Sequence, residues 1–405
     1  MLKKTLSIFL LQAELIERGY RNKKPINLAI SEFRTSTFFT QYNLASKNKV
    51  ILCMPRLLIA ASGTGGHIYP ALALADSLSN TWEIDWLGVP NRLEIDLVPK
   101  KYNLIKIKVG GLQGNILRKI FELFKLIFAS FQISKLLRQK RIDVIFTTGG
   151  YISAPSILGA KITGIPVLLH ESNAIPGKVT RLLGRFCDHV ALGIPSTSDY
   201  LPRCKTSVTG TPVRSEFLLK QPLPSWAPSG QGVLIVVMGG SQGAKKMNEM
   251  VRNILPWLLH KGCRVVHLTG KNDCFYRNPG KVTTHPNLVV REFSDEISGL
   301  LQNADLAISR AGAGAICELM VTKTPSILIP FPQSTDHHQE FNAAYMAKFG
   351  GALIVNQHSP EKHILKKIIS HLLSSNSLTN MKSNMKNNNF KNPENNILKI
   401  MNSFS

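Results

Sequence analysis

Two glycine-rich loops, each between an apolar run and a helical pattern, constrain the fold of this chain most strongly. The first loop, 62–67 (Ser-Gly-Thr-Gly-Gly-His), precedes a predicted helix over 70–78 with Pro70 in its first turn. The second loop, 239–244 (Gly-Gly-Ser-Gln-Gly-Ala), precedes a predicted helix over 248–259. A strand, a glycine turn and a helix N-terminus together form an anion site, because free backbone N–H groups and the helix dipole point at the ligand. The pattern predicts one such site in each half of an α/β protein.

The first loop departs from the common nucleotide motifs. It has no Walker lysine, and Gly63, Gly65 and Gly66 stand too close together for G-x-G-x-x-G. A nicotinamide cofactor is therefore disfavoured, and no cofactor is predicted. A tight strand-to-helix turn without any ligand is the structural alternative for this loop.

Apolar runs and helical patterns alternate along both halves, which is typical of doubly wound parallel sheets. We therefore predict two Rossmann-like domains that face a cleft, joined by the Pro-, Ser- and Thr-rich segment 196–230. Beyond the strand before each glycine loop, the predicted strands cover 84–88, 144–151, 166–170, 264–269, 305–309 and 324–330.

Polar residues and glycines follow several predicted strands of the first half. In an open parallel sheet, ligands bind beyond the carboxyl ends of the strands. We therefore expect these residues to share a site, although each alone also fits a structural cap. They are His67, Gly149, Gly150, His170, Glu171 and Asn173.

The length of 405 residues suits two domains rather than one core. We predict boundaries at 54–213 and 214–375, with a C-terminal tail over 376–405. Residues 20–49 are polar and patternless, whereas Met54 opens a run that resembles a first strand. We therefore predict that Met54 is the natural start and that 1–53 is a disordered extension or an over-extended reading frame.

The net charge of +24 favours an anionic partner, namely nucleic acid, acidic lipid or a phosphorylated substrate, although a general excess of lysine would also raise it. No nucleic-acid motif is present, so no nucleic-acid partner is predicted. The six cysteines show no C-x-x-C spacing, which favours a reduced compartment. No apolar run reaches the roughly 18–20 residues of a membrane span.

The stretch 112–141 combines a helical period with four phenylalanines and clustered Lys and Arg. Such a helix can lie on an anionic bilayer, with its apolar side chains inserted and its basic side chains at the headgroups. It can equally pack on the core with a solvated basic face. Both descriptions hold if one face packs and another part touches lipid.

Three polar residues of the second half are candidates for ligand contacts. Glu318, near the start of a predicted helix, can accept the hydroxyls of a ribose, as acidic residues do in nucleotide sites. It can also be a simple partner of the helix dipole. Gln339 and Asn342 lie three apart on one helical face and either bind sugar hydroxyls or are merely solvated.

Seven motifs occur in the order found in one family of enzymes. They lie at 63–67, 149–153, 170–173, 210–214, 239–244, 310–313 with Glu318, and 336–343. Over about residues 54–375, the chain resembles glycosyltransferase family 28, which has the GT-B fold. It is most similar to members that act on the lipid-linked peptidoglycan precursor.

The resemblance implies a reaction and its partners. The donor would be UDP-N-acetylglucosamine (UDP-GlcNAc), and the acceptor lipid I, undecaprenyl-pyrophosphoryl-MurNAc-pentapeptide. The sugar would pass with inversion to the 4-hydroxyl of muramic acid, giving lipid II. The N-terminal domain would hold the acceptor at an anionic membrane surface, as a peripheral protein on the cytoplasmic face of the bacterial inner membrane. The C-terminal domain would hold most of the donor.

The resemblance also implies roles for single residues. Glu318 would take the ribose, Ser241 and its loop the phosphate, and Arg214 would supply charge nearby. The full set of implied donor contacts is Thr64, Gly65, Gly66, Asn173, Arg214, Ser241, Glu318 and Gln339.

The attack needs a base to remove the acceptor proton. His67 is the preferred candidate and Glu171 the second. The leaving diphosphate needs its charge neutralised. Because the chain has no D-x-D motif, no metal is predicted. Backbone amides, helix N-termini and Arg214 would then have to neutralise the charge of the diphosphate.

The chain departs from the family pattern at two positions. Ala315 and Cys317 stand where hydroxyl residues are usual, so side-chain contacts to the nucleotide would be lost there. The GT-B fold also implies a closing helix, expected over 394–404, that crosses back to the first domain. A UDP-sugar epimerase and a diacylglycerol glycosyltransferase of the same fold are the alternative functions.

Overall fold

The structure is a computed structural model of the chain. It describes residues 54–110, 116–240, 243–273, 285–359, 363–386 and 392–404. The predicted extension over 1–53 lies outside these residues. Met54–Met401 form one compact unit, and this unit holds two parallel sheets.

The first sheet has seven strands: β1 (Arg56–Ala60), β2 (Glu83–Gly88), β3 (Asn103–Lys106), β4 (Val144–Thr147), β5 (Val167–Glu171), β6 (His189–Leu192) and β7 (Thr206–Val208). All pairs are parallel, in the order β3-β2-β1-β4-β5-β6-β7. The order reverses between β1 and β4, and a crevice for ligands forms at such a point.

The second sheet has six strands: β8 (Leu234–Met238), β9 (Arg264–Leu268), β10 (Leu288–Arg291), β11 (Leu306–Ser309), β12 (Ser326–Leu328) and β13 (Ala352–Ile354). These are also parallel, in the order β10-β9-β8-β11-β12-β13, and the order reverses between β8 and β11. The predicted pair of doubly wound α/β sheets is confirmed.

Helices connect the strands in both halves. In the first half they are α1 (Gly65–Leu78), α2 (Glu94–Leu97), α3 (Ile116–Lys140), α4 (Ser153–Thr163) and α5 (Lys178–Leu183). From there on they are α6 (Ser215–Leu218), α7 (Lys245–His260), α8 (Ile297–Asn303), α9 (Ala313–Thr322), α10 (His338–Lys348), α11 (Ile364–Ser374), α12 (Ser377–Lys386) and α13 (Pro393–Asn402). Short 3-10 helices cover Gly184–Phe186, Pro195–Tyr200 and Thr335–His337.

Apart from Arg56 at the start of β1, the strands before the glycine loops are apolar because helices cover both faces of each sheet. Leu57, Leu58 and Ile59 of β1 are fully buried, and every residue of β8 is buried. Such strands bury side chains on both faces instead of alternating. This is why the two apolar runs were recognisable from the sequence.

Both loop helices begin earlier than predicted. Helix α1 starts at Gly65 and α7 at Lys245, so each glycine loop continues directly into a helical turn. Pro70 consequently lies inside α1 and not in its first turn. Proline there removes one helical hydrogen bond. The buried apolar side of α1, including Ile68 and Leu72, outweighs that loss.

The predicted linker over 196–230 is wrong as a single loop. It contains most of the 3-10 helix Pro195–Tyr200, the edge strand β7 and the short α6. Strand β7 has only three residues, none of them fully buried, so no apolar run marks it. The closing helix is confirmed as α13, and the side chain of Asn396 donates to the carbonyl of Thr209 at 3.3 Å, just beyond β7.

Candidate active site

The first glycine loop lies at the carboxyl end of β1, where the strand order reverses. His67 is the third residue of α1, and its backbone N–H donates to the carbonyl of Thr64 at 3.0 Å. Thr64 and Gly66 are exposed at this turn, while Gly65 is partly covered. The loop therefore presents backbone and a hydroxyl at its surface, as a donor contact requires.

The segment after β4 holds the ring of His67. Nδ1 of His67 lies 2.7 Å from the carbonyl oxygen of Thr148, and the Thr148 hydroxyl donates to the carbonyl of His67 at 2.9 Å. A carbonyl oxygen only accepts, so Nδ1 carries the proton in this hydrogen bond. The neutral ring then keeps a lone pair on Nε2, which is the form that a general base needs.

Gly149 and Gly150 form the turn that faces His67. Both have left-handed φ values, 91° and 79°. A Cβ at Gly149 would lie 3.5 Å from Cε1 of His67, and one at Gly150 would lie 3.4 Å from the carbonyl oxygen of Ser62. Glycine adopts such φ values without steric cost, so both positions favour it.

A buried carboxylate braces the first loop. Glu94 is fully buried and accepts hydrogen bonds from the Ser62 hydroxyl at 2.5 Å and the Val89 N–H at 2.7 Å. The N–H of Gly63 approaches its second oxygen at 3.4 Å. These donors replace the water that a buried carboxylate loses. Glu94 had no predicted role, although the segment 92–94 fits the family pattern and follows β2 at the ligand edge of the sheet.

Glu171, the second candidate base, serves as a structural carboxylate. One oxygen accepts from the backbone N–H and the side-chain amide of Asn173, both at 3.1 Å. The other accepts from the N–H of Gly177 at 2.9 Å and the hydroxyl of Thr180 at 2.8 Å. Four donors occupy the lone pairs of this buried group. Glu171 therefore closes the loop 172–177, and its role as a base stays a prediction.

Asn342 of α10 connects the two halves. It is fully buried, and its oxygen accepts from the N–H of Ala174 at 2.8 Å. Its amide nitrogen donates to the side-chain oxygen of Asn173 and the carbonyl of Ala311, each at 3.1 Å. Both N–H donors of the Asn342 amide are thus engaged between the halves, and the sugar contact considered for Asn342 stays a prediction. Asn173 is likewise held from both sides, by Asn342 and Glu171.

The second glycine loop follows β8, again where the strand order reverses. Ser241 lies outside the described residues, so its phosphate contact stays a prediction. Gly243 has a φ of 82°, and a Cβ there would lie 2.4 Å from the carbonyl oxygen of Thr269. Only glycine fits that approach. Helix α7 begins two residues later, so its N-terminus adjoins the loop.

A buried polar network supports this loop from below. The amide nitrogen of Asn248 donates to the carbonyl of Thr269 at 2.9 Å and to Asp273 at 2.7 Å. Its oxygen lies 3.2 Å from Nε2 of His267, and Arg252 pairs with Asp273 at 2.8 Å. Burial, helped by the charge of Arg252, lowers the pKa of His267 to about 4. The ring is therefore neutral near pH 7 and donates to Asn248.

Arg214 and Glu318 meet in the structure. The guanidinium of Arg214 lies 3.3 Å from Glu318 and 3.0 Å from Glu216. Burial raises the pKa of Glu318, and the charge of Arg214 opposes that shift. Glu318 is the sixth residue of α9, beyond the first turn where a helix dipole acts. Two carboxylates share the charge of Arg214, so less of it remains for a diphosphate than the sequence implied.

Gln339 lies apart from this ion pair, as the second residue of α10. Its side-chain oxygen accepts from the N–H of Phe331 at 2.9 Å, which fixes the turn before the helix. The amide also has two N–H donors, which suit a sugar hydroxyl. The sugar contact implied for Gln339 stays a prediction.

The departures from the family pattern lie on α9. Burial raises the pKa of the Cys317 thiol to about 12, so it stays protonated, with the Thr211 hydroxyl beside it. A thiol is a weak hydrogen-bond donor, and Ala315 offers no side-chain group at all. The start of α9 therefore offers a ligand its free backbone N–H groups rather than side-chain hydroxyls.

No group of three or more His, Cys, Asp or Glu side chains within the described ranges is arranged to hold a metal ion. In those same ranges, no helix is both long and apolar enough to cross a membrane.

Family models match both halves of the chain. The glycosyltransferase family 28 N-terminal domain matches residues 57–192, and the glycosyltransferase family 28 C-terminal domain matches residues 234–397. Each match includes one glycine loop; the first extends to the end of β6, and the second covers all six strands of its sheet.

Curated relatives match over most of the chain. One is the UDP-N-acetylglucosamine–N-acetylmuramyl-(pentapeptide) pyrophosphoryl-undecaprenol N-acetylglucosamine transferase of Prochlorococcus marinus (strain NATL1A). It is 78% identical over 352 residues, which is 87% of this chain and 100% of that relative. A protein of the same name from Synechococcus sp. (strain CC9902) is 58% identical over 322 residues, 80% of this chain and 89% of its own.

Solved structures share the architecture. MurG of Acinetobacter baumannii is 27% identical with a TM-score of 0.69, covering 86% of this chain and 99% of its own. CalG4, the calicheamicin glycosyltransferase, has a TM-score of 0.62 at 15% identity, covering 86% and 97%. The second likeness concerns the fold alone. Together with the two sheets, these structures confirm the predicted GT-B fold.

Proposed function

The chain belongs to glycosyltransferase family 28, and from this premise we propose that it transfers N-acetylglucosamine from UDP-GlcNAc to lipid I. The acceptor is the 4-hydroxyl of muramic acid in undecaprenyl-pyrophosphoryl-MurNAc-pentapeptide, and the product is lipid II of peptidoglycan synthesis. The observation that carries this is the 78% identity to a transferase of that name along its whole length.

His67 is the proposed general base. Its Nε2 takes the proton of the acceptor hydroxyl while that oxygen attacks the anomeric carbon. The bond from that carbon to the UDP oxygen breaks on the opposite face, so the configuration inverts. The hydrogen bond from Nδ1 to Thr148 supports this role because it fixes both the tautomer and the ring.

The second glycine loop is the proposed site of the leaving diphosphate. Helix α7 starts directly after this loop, so its free N–H groups and dipole stabilise negative charge there. Ser241 adds a hydroxyl to the same loop. Arg214 contributes a smaller share, because Glu216 and Glu318 already bind its guanidinium.

The remaining donor contacts divide between the halves. Glu318 accepts the ribose hydroxyls, since a carboxylate has lone pairs left beyond its pairing with Arg214. Gln339 offers amide donors to the sugar. On the first half, the donor contacts are Thr64, Gly65, Gly66 and Asn173.

Helix α3 is the proposed membrane contact. Its buried side, which includes Ile133 and Leu137, packs on the core of the first half, and the membrane contact is proposed for its exposed side. Four phenylalanines spaced by three and four residues are exposed on one stripe, Phe124 by 67%. We define this phenylalanine stripe as Phe121, Phe124, Phe128 and Phe131.

Exposed apolar rings beside basic side chains are typical of surfaces that lie on anionic lipid. Lys125, Lys135 and Arg138 of α3 are exposed near the stripe. The protein is accordingly proposed to be peripheral, on the cytoplasmic face of the bacterial inner membrane, where the lipid-linked acceptor is held.

A transfer assay tests the reaction. The full chain is given labelled UDP-GlcNAc and a short-chain lipid I analogue with EDTA present, and lipid II analogue is expected. Binding of UDP-GlcNAc without transfer would reject the transferase proposal. Conversion of UDP-GlcNAc to another UDP-sugar without acceptor would identify an epimerase, and glycosylation of diacylglycerol instead of lipid I would identify the other alternative.

A further inference from the structure

The ring of Tyr69 rests on the first glycine loop. Tyr69 lies one helical turn after Gly65 in α1. A Cβ at Gly65 would lie only 2.8 Å from Cε2 of the tyrosine ring. Real Cβ atoms do not approach that closely, so the bare glycine gives the ring its place. Gly65 therefore has a packing role besides any contact with the donor.

The same ring meets the nucleotide side of the site. The guanidinium of Arg214 lies 4.5 Å from the ring centroid of Tyr69 and 4.9 Å from that of Phe217. A cation at such distances is attracted by the electron-rich face of the ring. Arg214 in turn pairs with Glu318 at 3.3 Å. The contacts run without a break from Gly65 to Glu318.

Hydrogen bonds alone leave Arg214 incompletely held. Both ion pairs use its terminal nitrogens. Its Nε is buried and has no hydrogen-bond partner among the residues that the structure describes. An unmatched buried donor disfavours the conformation that contains it. The two aromatic rings must therefore supply part of what holds the guanidinium in place.

The surroundings of Tyr69 strengthen this contact. Burial raises the pKa of Tyr69, and Glu318, Asp295 and Glu216 raise it further against the opposing charge of Arg214. The phenol therefore stays neutral, and the ring acts through its face. Attraction between a cation and a ring increases when water is excluded, so a partly buried pair is stronger than an exposed one.

We propose that Tyr69 is a positioning residue for the nucleotide: its ring, seated on Gly65, holds Arg214 against Glu318 and so keeps that carboxylate directed at the ribose. The inference rests on the proposed function and deepens it, because it makes the first glycine loop a structural support of the nucleotide side. Tyr69 touches neither the reacting atoms nor the acceptor in this role.

The test changes the electron density on the face of the ring and keeps the shape of the ring. Phenylalanine and then phenylalanines with one, two and three fluorines replace Tyr69 in the full chain, and UDP affinity is measured by calorimetry. Tyr69→Phe is expected to bind UDP within about twofold of the wild type, and the trifluoro ring about 5- to 10-fold more weakly, because fluorine withdraws electrons from the ring face. The Kd should rise at each fluorine step.

The variant Tyr69→Leu provides a second, kinetic test. It is expected to raise the KM for UDP-GlcNAc about 10-fold with kcat within about twofold, since a lost cation–ring contact acts on donor binding. Tyr200→Leu is the matched control, because Tyr200 is 43% exposed in the 3-10 helix Pro195–Tyr200. Its UDP affinity should equal that of the wild type.

Equal UDP affinity along the fluorine series would overturn the inference, because packing alone would then explain the ring. Tighter UDP binding on loss of the ring would also overturn it, since the ring would then hold Arg214 away from the nucleotide. If Tyr69→Leu fails to fold, the fluorine series decides alone. UDP affinities that follow the series without any transfer would reject the proposed reaction but uphold the role of Tyr69.

Discussion

The two glycine loops occupy the same topological position in their sheets, yet different chemistry braces them. The first is tied by the carboxylate of Glu94 to Ser62 and Gly63, and by His67 to the segment after β4. It therefore carries a titratable ring whose tautomer is set. Side chains hold this loop in place, and the loop presents the imidazole of His67 with a free lone pair on Nε2.

The second loop is held by a backbone approach and a neutral amide. Gly243 lies against the carbonyl of Thr269, and Asn248 binds that same carbonyl from below. What it presents is backbone at a helix N-terminus. The difference teaches that one supersecondary unit can present a histidine in one half and a helix N-terminus in the other, which fits the proposed roles of proton transfer and charge stabilisation.

The largest expected effect is on pH-dependent stability of the second half. His267 has its pKa lowered to about 4 by burial, whereas an unfolded histidine titrates near pH 6.5. As pH falls from 6.5 to about 4, the unfolded chain binds a proton that the folded chain does not, so stability decreases. The loss approaches roughly 3 kcal/mol, and above pH 6.5 it is absent.

Chemical denaturation of the full chain between pH 4 and 7 measures this. The control is His267→Gln, in which the amide can still donate to Asn248 but does not titrate. Its stability should depend less on pH across this window than that of the wild type. Identical pH profiles for the two proteins would show that His267 does not set the acid sensitivity.

The next effect sharpens the role of the first loop. His67→Ala is expected to lower kcat about 10²-fold, because it removes the proposed base, with little change in UDP affinity. Single-turnover kinetics with the lipid I analogue measure the chemical step. His371→Ala, on an exposed face of α11, is the control, and an unchanged kcat in His67→Ala would remove His67 from that role.

The corresponding variant of the second loop should alter donor binding instead. Asn248→Ala removes three hydrogen bonds beneath the loop, and we expect the KM for UDP-GlcNAc to rise about 10-fold. Asn303→Ala, in which the lost amide bonds are at the surface, serves as control. A kcat loss without a KM change would break the proposed division between the loops.

The smallest expected effect is on membrane binding, for which exposed phenylalanines of the two halves are compared. Phe124→Ser removes one ring of the phenylalanine stripe and is expected to weaken binding to vesicles with anionic lipid about fivefold. Phe293→Ser changes a phenylalanine of the second half that is 49% exposed and should have no effect. Sedimentation with vesicles measures both, and equal loss in the two variants would contradict a specific contact through α3.

The strands before the glycine loops could be predicted because burial on both faces makes them runs of at least four apolar residues. Strand β7 could not, since three residues in sequence carry no periodicity and neighbouring strands stabilise it. His67 could be identified from its place in the first loop. The support from Glu94 could not, because its contacts join residues about thirty positions apart.

Contacts between the two halves could not be predicted from the sequence either. Nothing near Asn342 in the sequence indicates that its amide binds the backbone of Ala174, 168 positions away. Likewise, Arg214 carried a clear signal as a cation, but its sharing between two carboxylates and a tyrosine ring depends on tertiary packing. Sequence patterns specified which groups the site contains, and packing decided which of them remain available.

The buried amide of Asn342 has a kinetic consequence. Any motion that separates the halves must break its bonds to Ala174 and Asn173. Water can satisfy both partners once they are exposed, so the separated state is little disfavoured at equilibrium. While the bonds break, the buried groups have no other partner, and this cost slows the opening itself. Asn342 thus lowers the rate at which the halves separate more than it changes the equilibrium between the joined and separated states.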